Sequence, residues 1–255
     1  KQQVPFLKQF NVRKDIEQTQ TGVTWSKPIN DKNELYAMAY LGNRQVTQYQ
    51  SIPKSTQDAS INHAGGVIDF ERDYYGADFR WTGKELLPNT TLSVGVALDA
   101  MDEDRKGFEN FNLVNGQPSY GVKGNLRRDE DNTLWNIDPY LQASWQFLPT
   151  WRLDTGVRYS NVHYKSKDNY LSNGDDSGKT DYDKVLPSAA LSWQILPELM
   201  AYVSYAKGFE TPTFTEMAYR PDGESGFNFD LTASTSDTYE TGLKSQNHLG
   251  DFTLA

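Results

Sequence analysis

The clearest order in the chain is an alternation of apolar and polar residues from Leu134 to His163. Trp135, Ile137, Pro139, Leu141, Ala143, Trp145 and Phe147 alternate with Asn136, Asp138, Tyr140, Gln142, Ser144 and Gln146. After Leu148-Pro149-Thr150 the pattern resumes, with Trp151, Leu153, Thr155, Val157 and Tyr159 against Arg152, Asp154, Gly156, Arg158 and Ser160. A period of two puts each set on one face of a strand, so the stretch predicts an antiparallel hairpin with one apolar and one polar face. Pro139 interrupts it. Proline removes a ladder hydrogen bond, which predicts either a bulge there or a position whose N–H would not have faced a neighbour.

The same period recurs along the chain. After an irregular stretch over residues 1–14, strands are predicted weakly over Ile16–Lys27 and more clearly over Glu34–Gln50, Val67–Thr82 and Thr91–Ala100. Further strands end at Leu191, Trp193 and Ile195, return through Leu199, Ala201, Val203 and Tyr205, and close on Tyr239, Thr241 and Leu243, with a last one only begun. Short turns near 28–33, 87–90, 148–150, 196–198 and 247–251 alternate with long polar loops at 51–66, 102–131, 168–183 and 212–234. This is a meander of about ten strands with one tight rim and one elaborated rim.

The tryptophans give the meander a scale. Trp25, Trp81, Trp145, Trp151 and Trp193 lie within a few residues of a short turn, and Trp135 lies at the long-loop end. Trp135 and Trp145 share the apolar face, ten residues apart; at roughly 3.3 Å per residue that is about 33 Å along the strand. A tilt of about 40° reduces it to roughly 25 Å, the height of the lipid-facing band of an outer-membrane barrel between its aromatic girdles. The prediction is an all-β, antiparallel, up-and-down transmembrane β-barrel. A soluble β-sandwich binding module or adhesin explains the alternation as well, but not the one-sided loop lengths together with the girdle.

Composition narrows the class further. The 255 residues carry a net charge of −9, which argues against a nucleic-acid surface, and no cysteine, which excludes thiolate metal sites and disulfides. Mean hydropathy is −0.71, and no apolar run approaches the ~18 residues of a membrane helix. Alternating strands with polar external loops keep such averages low in barrels. Neither a Gly-Lys-Ser/Thr phosphate loop nor a Gly-x-Ser-x-Gly elbow occurs, so no enzyme is indicated. His63, His163 and His248 have no spacing that would make a metal site, and NGDDSG at 173–178 lacks the rest of a calcium-loop pattern. No metal and no cofactor is expected.

At 202–216 the chain reads YVSYAKGFETPTFTE, which resembles the Tyr-x-x-Tyr-x-(Lys/Arg)-Gly-Phe-x-x-Pro-Thr-x-x-Glu stretch of TonB-dependent outer-membrane transporters. The resemblance extends over most of the chain and is close to one subgroup, the YncD-type receptors. It is carried by VTQYQSIP (46–53), HAGGVI (63–68), DRKGF (104–108), LRRDEDN (126–132), WNIDPYLQ (135–142), GVRYS (156–160), NGDDSG (173–178) and GFETPT (208–213). It implies that residues 1–255 are a portion, somewhat under half, of a barrel of roughly 22 strands, without the plug domain and TonB box. It also implies a monomer in the outer membrane of a Gram-negative bacterium, surrounded by lipid and coupled to the TonB complex through an N-terminal part this sequence lacks. Its ligand would be small and scarce, pyrroloquinoline quinone in the YncD type, with phage attachment also associated with that subgroup; a ferric-siderophore receptor is the alternative.

Two sets of polar residues are candidates for contact. In the predicted loop 102–131, Arg105, Lys123, Arg127 and Arg128 stand near Tyr120 and would suit an anionic planar ligand, with guanidinium forks for its carboxylates and aromatic faces for stacking. The alternative is a solvated loop whose charges pair with its own acidic residues. On the polar strand face, Arg80, Asp138, Tyr140, Gln142, Arg152 and Arg158 would form a lumen wall, pairing among themselves or facing a plug.

Overall fold

The computed structural model describes residues 8–218, 220, 226–247 and 250–254. Its strands are β1 (Arg13–Asn30), β2 (Asn33–Tyr49), β3 (Val67–Lys84), β4 (Thr90–Phe108), β5 (Phe111–Val114), β6 (Gln117–Tyr120), β7 (Leu126–Leu148), β8 (Trp151–Asp168), β9 (Gly178–Leu196), β10 (Leu199–Glu210), β11 (Ser234–Asn247) and β12 (Gly250–Leu254). Two short helices, α1 (Lys54–Asp58) and α2 (Phe214–Met217), lie in the connections. Ten strands form one antiparallel sheet in chain order, interrupted only by the β5–β6 hairpin, which pairs with itself inside the connection from β4 to β7. This is the predicted up-and-down meander.

The hydrophobic pattern is inverted relative to a soluble sheet. Val94 and Leu141, cross-strand partners at mid-height, are 44% and 42% exposed, whereas Asp138 on the opposite face is 1% exposed. Val23, Leu41, Phe79, Val203 and Leu243 are exposed on the same outer face. A water-soluble sandwich would bury this surface; an apolar band facing lipid, with a polar face turned to the lumen, accounts for it. Register pairing stacks the aromatic ends of that band: Trp151 lies parallel to Trp193 at 5.3 Å between ring centroids, and Trp135 stacks on His163 at 3.9 Å. Trp25, Trp81 and Trp145 occupy the outer-face positions assigned to them, near the tight rim.

The turns after β1 and β7 are shorter than the sequence implied, while the one after β3 spans 85–89. Asn30 pairs Asn33 and Leu148 pairs Trp151, leaving two residues in each turn. The predicted 102–131 loop is mostly strand: β4 continues to Phe108 and β7 begins at Leu126, so the connection proper is 109–125. In the same way β8 runs to Asp168 and β9 starts at Gly178, shortening the predicted 168–183 loop. These extensions rise above the apolar band and are polar on both faces, which leaves no period of two to read. Of the irregular stretch 1–14, residues 1–7 lie outside the described residues, and so do 248–249 of the last turn and 219 and 221–225 of the 212–234 loop; His248 lies there too.

Pro139 produces no register shift. The residue numbers of paired partners sum to the same value on either side of it (Asn136 with Val162, Tyr140 with Arg158), but the pairs between are missing. Side chains fill the opening: the Ile137 N–H donates to Asn161 Oδ1 at 3.1 Å, and the Asn161 N–H donates to Asp138 Oδ1 at 3.2 Å. Ile137 and Pro139 share strand parity, so the donor proline lacks would have faced β8, where the ladder is already open. Of the two predicted outcomes, neither a bulge nor an N–H without a facing neighbour describes the site: the neighbour is present and its ladder gives way.

Candidate functional site

The lumenal wall is built from register. On β2, β3, β4 and β7 the even or odd set opposite the lipid face runs in lateral rows. At mid-height Tyr40 donates to Asp99 at 2.6 Å, and Tyr140 donates to both carboxylate oxygens of Asp78 at 3.0 and 3.1 Å. The Tyr140 ring lies over Gly95, where a Cβ would meet ring atoms at 2.3 Å; Tyr40 covers Gly76 in the same way. Of the wall residues predicted, Asp138 binds Arg158, Arg152 binds Asp154 at 2.8 Å, and Arg80 lies over the Tyr36 ring at 4.8 Å. Gln142 faces a shallow recess with Tyr140, Gly156 and Ser188. Mutual pairing dominates this part of the wall.

Higher up, above the Trp135–His163 level, the wall changes character. One row runs Arg44, Arg72, Glu103, Asn132 across four strands, and the next runs Phe70, Arg105, Glu130. Arg72 donates through Nε to Glu103 at 3.0 Å and again through its terminal nitrogen. Arg128 holds Glu130 at 2.7 Å and lies 5.8 Å from the Phe227 ring. Arg105 comes no closer to a carboxylate than 3.9 Å, to Glu103, and Arg44 Nε is enclosed without an acceptor. Asp168, beside Glu130, accepts from the backbone N–H groups of Tyr170 and Asp176. Burial pushes the Glu130 carboxyl above its ordinary range, against the pull of Arg128 and Arg105, and lowers the Arg105 guanidinium from its ordinary value. The result is four guanidiniums facing few charged acceptors, with spare donors pointing along one wall.

The five residues predicted for ligand contact divide. Arg105 and Arg128 lie on this lumenal face, Arg105 in the second row and Arg128 one step above it. Arg127 does not: it donates to the carbonyls of Gln57 and Ser60 at 2.9 and 2.8 Å and pairs with Glu109, clamping the 50–66 connection to the base of 109–125. Lys123 pairs with Asp69 and lies 4.0 Å from the Phe108 ring centroid. Tyr120 accepts the Lys54 N–H at 3.0 Å and packs on Phe10 at 4.3 Å. Around them Asn110 and Gln57, both inaccessible, bind each other and the carbonyl of Ile52. Arg127, Lys123 and Tyr120 therefore set loop shape. The sequence gives no sign of Arg44 and Arg72 as partners of Arg105, because they lie about 30 and 60 positions away and only the ladder brings them level.

Beside these arginines, the connection from β10 to β11 folds onto the lumenal face of β8 and β9. Phe214, Met217 and Phe227 pack against Tyr164 and Tyr182, and the Tyr182 hydroxyl donates to the Leu231 carbonyl at 2.7 Å. Thr213 and Glu216 form a capping box that starts α2 and aims Phe214 inward. The YVSYAKGFETPTFTE stretch thus runs from barrel strand to inward-folded loop.

The arrangement is shared with solved structures. The siderophore receptor PiuA from Acinetobacter baumannii aligns over 94% of this chain and 39% of its own, with a TM-score of 0.73 at 16% identity. The closed form of the ferric-catecholate import receptor Fiu from E. coli K12 aligns over 94% and 40%, at 0.66 and 14%. The copper transporter OprC aligns over 91% and 37%, at 0.67 and 14%. The chain thus spans about two fifths of these proteins, and identities this low speak for the fold. The sequence itself matches the family described as TonB dependent receptor-like, beta-barrel, over residues 3–255. With an outward apolar band, a girdled meander and that match over nearly its whole length, this outer-membrane chain belongs to the TonB-dependent receptor β-barrel family.

Proposed function

We propose that the chain forms the part of a TonB-dependent transporter that meets a small, multiply anionic ligand at the outer end of the lumen. The observation that carries this reading is the cluster of Arg44, Arg72, Arg105 and Arg128 over three successive lumenal rows, whose donors outnumber the carboxylates beside them. Guanidiniums with free forks bind carboxylates in bidentate fashion, and a partly dry wall strengthens each such bond. A planar tricarboxylate, pyrroloquinoline quinone, fits this charge chemistry. Phage attachment would use the exposed outer connections. A ferric siderophore is the second reading, supported by two neighbours described as a siderophore receptor and a ferric-catecholate import receptor.

The test is growth of a receptor-deletion strain that depends on supplied quinone cofactor, complemented with the full-length gene. Rescue that Arg72→Ala/Arg105→Ala abolishes supports the quinone. Rescue confined to iron-limited medium replaces it with a siderophore. If the double substitution changes neither, the arginine cluster is not the ligand site.

A further inference from the structure

On the outer face of the sheet, β8 and β9 carry a second basic feature, separate from the lumen. Above the girdle the side chains of β8 alternate cleanly, with Tyr164, Ser166 and Asp168 buried and Lys165, Lys167 and Asn169 exposed. Lys165 is the direct cross-strand partner of Lys179, which is exposed too. Side chains so paired have Cβ atoms about 5 Å apart, and like charges in that position repel. Among the described residues nothing relieves this, since neither ammonium has a carboxylate within ion-pairing distance. The acidic neighbours are engaged elsewhere: Asp181 binds His163 Nδ1 at 2.6 Å, Asp131 accepts from Asn169 at 3.0 Å, and Asp102 accepts from Thr133 at 3.1 Å.

The height of the pair says what could relieve it. Lys165 and Lys179 are the next outward-facing residues above His163 and Asp181, and His163 stacks on Trp135, the girdle tryptophan of the outer rim. Two residues of a strand tilted by about 40° rise roughly 5 Å along the membrane normal. That is the layer just above the hydrocarbon boundary, where lipid head groups carry their phosphates and where basic side chains gain from anionic lipid.

From this placement we infer that Lys165 and Lys179 form a lipid-binding site on the outside of the barrel for the phosphate of an outer-leaflet glycolipid. One phosphate bridges the two ammonium groups and removes their mutual repulsion, while the acyl chains lie along Trp135, Ile137 and Val185 below. The site rests on the membrane orientation of the sheet and is independent of the ligand read for the lumen.

The experiment uses the full chain of the receptor, purified in detergent and stripped of lipid. Binding of a bisphosphorylated glucosamine lipid is followed by native mass spectrometry. Lys165→Ser/Lys179→Ser is expected to weaken it about tenfold or more, while Lys165→Arg/Lys179→Arg holds it and Lys27→Ser, at the opposite rim, leaves it unchanged. The same lipid without its phosphates should bind weakly and equally to all four proteins. Equal affinity of the double serine variant and the parent would overturn the assignment. So would displacement of the lipid by an equal concentration of inorganic phosphate, which would make this a free-phosphate site.

Discussion

Arg158 holds the one nearly inaccessible carboxylate at mid-wall: its Nε and a terminal nitrogen reach Asp138 Oδ2 at 2.8 and 2.6 Å. Asp138 also accepts from the Ser160 hydroxyl at 3.0 Å and the Asn161 N–H. It therefore takes the place of backbone bonds that the ladder lacks beside Pro139. Asp138→Asn should destabilise the barrel by about 1.5–3 kcal/mol, because it removes a charged acceptor from donors that remain. Urea unfolding in lipid vesicles checks this.

Pro139 itself should matter little. Its missing donor faces the stretch where the β7–β8 pairs are absent and the side chains of Asn161 and Asp138 fill the opening, so Pro139→Ala restores an N–H opposite a ladder that those side chains keep open. A change within about 0.5 kcal/mol is expected. A gain of 1 kcal/mol or more in the same unfolding assay would show that the ladder closes once proline is gone, and that proline is what holds it open.

The two faces should respond oppositely to arginine. Val94→Arg or Val157→Arg on the lipid face should cost roughly 2–4 kcal/mol near the midplane, and Ser144→Arg on the lumenal face much less. Equal costs measured by reversible folding into vesicles would contradict the membrane orientation assigned here.

Gly95 is under the Tyr140 ring. Gly95→Val should cost about 1–3 kcal/mol from overpacking, and only the part due to the ring should vanish in the background of Tyr140→Ala, because a Cβ there also meets the Phe79 carbonyl oxygen at 2.8 Å. A double-mutant cycle measures the coupling; additive effects would mean that the ring does not press on this position.

At the outer end of the lumen, stability should depend on pH through Glu130. Burial raises its carboxyl in the folded state, so the native protein keeps this proton to higher pH than the unfolded chain does. Between the ordinary carboxylate value and the raised one the unfolded chain binds fewer protons, and this group's contribution to stability falls as pH rises. Glu130→Gln should flatten that part of a thermal-unfolding profile taken in detergent from pH 4 to 8. A slope that survives the substitution would assign it to another group.

The alternation at 134–163 and its repeats determined the meander, the faces and the two unequal rims, because face and strand are encoded by residues two apart and turn chemistry is local. The tryptophan spacing added the membrane for the same reason. The tertiary structure decided what local pattern cannot carry. Polar extensions such as 102–108 and 126–133 are strands because neighbouring strands, each other included, complete their ladders. Arg44 and Arg72 became one row with Arg105 in the next, and Lys165 met Lys179, through register, which is set by pairing between distant segments. Arg127, by contrast, looked like a ligand residue in sequence and was drawn into its own loops by carbonyls that only folding brought within reach.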